Sequence, residues 1–137
     1  MNIVREADRL EAGAAPDAGG PLDLSPLLGD WVNTYTGSGG IVRVLLTAAP
    51  GGGLTVRAFG AGPAGPVDWG EVPAETLYAD GLRSRRGMAV TARYDFGFMQ
   101  SHLQANQNLG LLVVASFNRF TDGSGRSDYF SREFYHR

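Results

Sequence analysis

Cysteine and lysine are both absent from this 137-residue chain. Without cysteine there is no disulfide framework, no thiol nucleophile and no thiolate metal ligand. Without lysine no side chain can form a Schiff base; all 12 basic residues are arginine. Histidine occurs only as His102 and His136, and neither sits in an Asp-x-His or His-x-His spacing that would suggest a metal site. There is no Gly-x-Ser-x-Gly elbow and no phosphate-binding loop. The residues therefore call for no cofactor. No apolar run approaches the ~20 residues that a membrane-spanning helix needs. Met1 to Glu6 lack the basic-then-apolar order of a secretory signal, so the expected location is cytoplasmic. A net charge of −2 argues against non-specific binding of nucleic acid.

Glycine is what the chain has in excess: 20 residues, falling in clusters between apolar runs. That is about twice the usual share of ~7% and implies many strands joined by tight turns. Strands are expected at Gly29–Tyr35, Ile41–Ala48, Leu54–Phe59, Val67–Val72, Thr76–Leu82, Met88–Tyr94, Phe98–Asn106, Leu111–Phe120 and Asp128–His136. Two of them alternate cleanly. Leu54, Val56 and Ala58 oppose Thr55 and Arg57, while Met88, Val90, Ala92 and Tyr94 oppose Thr91 and Arg93. A one-residue slip in either would bury an unpaired arginine, so the inner face is fixed. No helical segment separates the strands. The fold class is all-β: an antiparallel up-and-down β-barrel of eight to nine strands.

Residues 1–30 hold two arginines against six acids, and the rest of the chain holds ten arginines against eight. Residues 1–23 read as a flexible leader or lid, with a short amphipathic helix drawn from Ile3 to Ala15 as one form. Residues 24–137 form a single barrel domain, opened by one leucine-rich turn over Pro21–Leu28.

Gly29-Asp30-Trp31 at the head of the first strand resembles the signature of the lipocalins and the wider calycin group. The resemblance implies a last-strand arginine packed across the tryptophan at the barrel floor, and Arg132 is the candidate. Ser127-Asp128-Tyr129 is similar to the family's Thr-Asp-Tyr loop, although it lies beside the last strand, and the family's long C-terminal helix is missing. Trp31-Val32-Asn33 with Ser38 also resembles the opening of the biotin-binding avidins, which implies a ureido-oxygen site at Asn33 and Ser38. Avidins line that site with several further tryptophans, and this chain offers only Trp69.

The candidate site follows from the alternation. Val56, Ala58, Trp69, Val90 and Ala92 are expected to line an interior cavity, because their side chains leave space. Tyr94 would place a hydroxyl there. If Trp69 points inward, so does Glu71, and a carboxylate beside an indole would hold its proton more tightly; if Trp69 instead caps the barrel edge, Asp68 and Glu71 are both exposed. Gln100, His102, Gln104 and Asn106 share one face of their strand. Outward they form a solvated surface; inward they would bring His102 to the cavity as a general base. Glu71, His102 and Tyr94 are thus the candidate catalytic groups. Two functions fit. One is binding of a small, largely apolar or amphipathic molecule inside the barrel. The other is a cyclase or isomerase acting on a polyketide-like natural product, a reading that the likeness to small bacterial calycin-like cyclases adds. Long exposed strand edges would also allow a homodimer, whereas a closed barrel has none.

Overall fold

A computed structural model describes residues 21–137. The helix drawn over Ile3–Ala15 lies outside them. Nine strands follow in chain order: β1 (Gly29–Asn33), β2 (Ile41–Ala48), β3 (Leu54–Gly60), β4 (Val67–Pro73), β5 (Thr76–Ala79), β6 (Gly87–Asp95), β7 (Met99–Asn108), β8 (Leu111–Phe120) and β9 (Tyr129–His136). They form one sheet in the order β4-β3-β2-β1-β9-β8-β7-β6-β5, with every strand pair antiparallel. The sheet is strongly curled into an up-and-down half-barrel, an architecture compatible with a calycin-like fold. Among the described residues no helix is long and apolar enough to cross a membrane.

Alternation sets the two faces. Val56, Ala58, Val90, Ala92, Tyr94, Leu103, Leu112 and Val114 are buried on the concave side, and Arg57, Arg93, Gln104 and Phe117 point outward. The polar face of β7 is the outer one, so Gln100, His102, Gln104 and Asn106 lie outside the barrel. One end of the concave side is shut. Leu24 to Leu28 make a single turn, and Leu27 and Trp31 are fully buried. The Trp31 indole Nε1 donates to the Leu27 carbonyl at 2.8 Å, which ties the plug to the turn. Asp23 also joins the barrel: its N–H donates to the Arg85 carbonyl, and its carbonyl accepts from Gly87.

The arginine over the plug is not Arg132. That residue points to the outer face, with its guanidinium 5.8 Å from the Phe130 ring. Arg137, just past β9, lies 4.6 Å over the Trp31 ring and donates to the carbonyls of Ser25 and Leu28. Its chain runs across Gly29, where a Cβ would come within 2.8 Å of the Arg137 Cδ. The spacing of the last strand explains the difference. Residues 133 and 135 face inward, so an arginine at 132 cannot reach the inner plug.

A second departure occurs at β4. Phe59 pairs with Asp68, but Arg57 pairs with Glu71, so β4 carries one extra residue there. Gly70 sits in that bulge with φ +88°, a conformation that favours glycine. The bulge interrupts the two-residue period. Trp69 turns inward while Asp68 and Glu71 both turn outward, toward Arg57. The expectation that Glu71 would follow Trp69 into the interior therefore fails.

Candidate functional site

The expected site residues do not converge. Val56, Ala58, Val90 and Ala92 belong to the packed core, where the void that Val56, Val90 and Ala92 border is about 10 Å³. That is at most the space of one water. The Tyr94 hydroxyl accepts from the Ala58 N–H at 3.0 Å and donates to the Gly70 carbonyl at 2.7 Å. Burial pushes its phenol above the usual value. Glu71 lies outside, 3.9 Å from the Arg57 guanidinium. His102 lies outside too, its Nε2 enclosed 3.3 Å from Glu75 Oε1 and without a hydrogen-bond partner among the described residues. The Arg93 side chain bonds Glu75 and holds that carboxyl below its usual value. Three groups proposed for one reaction thus sit in three places.

The structure instead opens the concave side at the end away from Trp31. A pocket of about 490 Å³ lies there, bounded by residues 38–41, Gly60, Trp69 and the inner residues of β8 and β9. Trp69 forms one wall. Its ring meets Tyr94 and Phe96 edge-on, with centroids 5.4 and 5.0 Å away. It rests directly on Gly60, where a Cβ would fall 2.6 Å from the indole Nε1. Of the residues singled out from the sequence, Ser38, Trp69, Tyr129 and Arg132 border this pocket, and Trp69 forms a wall of it.

The opposite wall is polar, because the inner positions change character along β8. Leu112 and Val114 give way to Ser116 and Asn118, and all four are buried. Asn118 Oδ1 accepts from Ser101 Oγ at 2.6 Å and from Ser116 Oγ at 3.0 Å. This network explains how polar side chains are tolerated beneath a mouth. On β9, Ser131 and Glu133 face the same space. Glu133 Oε1 accepts from Ser38 Oγ at 2.7 Å, and Ser38 Oγ in turn accepts from the Gly40 N–H at 3.0 Å. The glycine-rich loop over residues 37–40 therefore carries a buried serine into the site. Asn33 is used otherwise: its amide donates to the Ile41 carbonyl, and its oxygen accepts from the Tyr35 N–H.

Of these polar residues only Asn33 and Ser38 stand out in the sequence. The signal was the shift from leucine and valine to serine and asparagine at alternate positions of β8, 112 to 118, and it was legible. A wider outer groove of about 620 Å³ lies between the rows Arg93–His102–Phe117–Phe130 and Asp95–Gln100–Arg119–Asp128. It is lined by Arg93, Asp95, Arg119 and Asp128 together with Phe117 and Phe130. Among the described residues no group of three or more His, Asp or Glu could hold a metal ion. Comparison of the chain with protein-family models, with curated proteins and with solved structures finds no match.

Proposed function

We propose that the protein binds a small molecule, largely apolar with a few polar groups, at the open end of its curled sheet. The observation that carries this reading is the pocket of about 490 Å³ with an indole on one side and hydroxyl, amide and carboxylate groups on the other. Its volume falls within the ~300–1,000 Å³ range of ligand sites, and the mix of one apolar wall with a few fixed polar groups is what such sites use. The reading is of lipocalin type, a sheet plugged at one end by a tryptophan and an arginine and open at the other. Binding is favoured over cyclase or isomerase chemistry because the expected acid–base groups are apart.

Tryptophan fluorescence tests it. Trp31 is fully buried in the plug, so a ligand at the mouth should change the emission of Trp69. Titration of compounds that co-purify with the protein, identified by native mass spectrometry, should quench or shift that emission. Trp69→Phe should abolish the response. Ligands that bind with no change at Trp69 would place the site elsewhere.

A further inference from the structure

On the reading that the mouth pocket is the binding site, we propose that its ligand carries a cationic nitrogen on a flat apolar body, and that Glu133 selects it. A protonated amine, an amidine and a guanidinium all meet that description.

Glu133 faces the concave side because β9 alternates. Tyr135 below it is buried, while Arg132 and Phe134 on either side are exposed. The carboxylate is half-buried and held by one hydrogen bond, from Ser38. Ser38 is itself fixed by the Gly40 N–H. Gly40 lets the carboxylate lie close, since a Cβ there would sit 3.3 Å from Oε1. One oxygen is thus oriented by the loop, and the other, Oε2, has no partner among the described residues.

Among the described residues no arginine pairs with it. Asp30, Asp68, Glu75 and Asp122 each pair with an arginine: Arg43, Arg57, Arg93 and Arg126. Those carboxylates lie at exposed positions, where pairing contributes least. Glu133, in the pocket, is left with a neutral hydroxyl. The neighbouring Arg132 sends its guanidinium to the outer face, beside Phe130. A half-buried carboxylate without a countercharge is costly, and a cation supplied by the ligand offsets that cost. The charge is felt below the mouth, where it adds to burial in raising the Tyr135 phenol. Trp69, Tyr35 and Tyr129 border the same space. Aromatic rings suit both a flat body and a cation. An anion would meet Glu133 with like charge.

The test compares three probes that share one ring system: 2-naphthylmethylamine, 2-naphthylmethanol and 2-naphthylacetate, each titrated calorimetrically into the full chain at neutral pH. The amine should bind at least tenfold more tightly than the alcohol, and the acetate most weakly. Glu133→Gln keeps an acceptor for Ser38 and removes the charge. It should bring the amine to the alcohol's affinity and leave the alcohol within about twofold. Equal binding of amine and alcohol by the parent, or an amine preference that survives in Glu133→Gln, overturns the selection by charge and leaves the mouth site standing. Failure of all three to bind overturns the cationic class. Failure of the Trp69 fluorescence titration with co-purifying compounds would remove the mouth site itself, so the two failures are distinct.

Discussion

The Tyr94 hydroxyl on β6 donates to the carbonyl of Gly70 on β4, 2.7 Å away, across a flank where these two strands share no ladder. The same oxygen accepts from the Ala58 N–H on β3 at 3.0 Å. Gly70 is the bulge residue, so the irregularity that turns Trp69 inward also presents the carbonyl that this bond uses. One phenol thus fastens the edge of the curl.

Tyr94→Phe should therefore act on stability. It leaves a buried N–H unsatisfied, which costs about 1–3 kcal/mol. Chemical denaturation should show that loss, with ligand affinity at the mouth changed little in the folded fraction. A Tyr94→Phe protein as stable as the parent would mean that the flank is held by something else.

The plug gives a graded series. Trp31→Ala should cost about 3–5 kcal/mol, since it removes a large, fully buried side chain. Arg137→Ala should cost less, about 1–2 kcal/mol, for an exposed cation over the indole and two bonds to backbone carbonyls. Arg132→Ala should stay within about 0.5 kcal/mol, as expected of an outer-face position. Urea melts of the three variants check the order. Reversal of the two arginines would restore the arrangement expected from the sequence.

How much of this was legible in the sequence depends on where the two-residue period holds. In β3 it holds throughout, and in β6 it holds from Val90 onward, past an extra residue at Met88, so Val56, Ala58, Val90, Ala92 and Tyr94 are inside as the pattern requires. In β4 it breaks at Gly70. Glycine permits a bulge but does not announce one, so the sequence leaves Glu71 open between interior and surface, and the bulge puts it at the surface. Whether small inward side chains leave a cavity is a question of packing between strands, which no single strand reports. Ala58 is covered by β6 and the core around it. The mouth was hidden for another reason: its polar wall joins Ser38 to Glu133, 95 residues apart in the chain.

Acid should weaken the fold in a defined window. Hydrogen bonds from Arg43, Arg57 and Arg93 hold Asp30, Asp68 and Glu75 below their ordinary values of 3.8 for aspartate and 4.5 for glutamate. A carboxyl whose folded pKa is lowered adds stability above its unfolded pKa and loses it as pH falls through the folded one. The melting temperature should be level from pH 7 to about 5 and then decline below about 4. The pairs are exposed, so each contributes little. Asp30→Asn, Asp68→Asn and Glu75→Gln combined should flatten that decline and lower the plateau slightly. An unchanged acid limb in the triple variant would show that these pairs do not set it.

Gly60 offers the sharpest test of the mouth. The Trp69 indole lies on its Cα, and an added Cβ would fall 2.6 Å from Nε1 and 3.1 Å from Cε2. Gly60 is buried in the β3 ladder and has little freedom to withdraw. Tyr94 and Phe96 block the ring on other sides. Gly60→Ala therefore pushes the indole toward the pocket. The expected result is a loss of about 1–3 kcal/mol from overpacking. Trp69 emission should also change, and affinity at the mouth should fall. Ala58→Trp makes the contrast. Ala58 is fully buried, and the void nearby, bordered by Val56 and Ala92, holds about 10 Å³. An indole there should unfold the sheet rather than fill a site. Circular dichroism separates the two variants. If Gly60→Ala leaves emission, stability and binding unchanged, the indole does not rest on that glycine, and the pocket built around it is wrong.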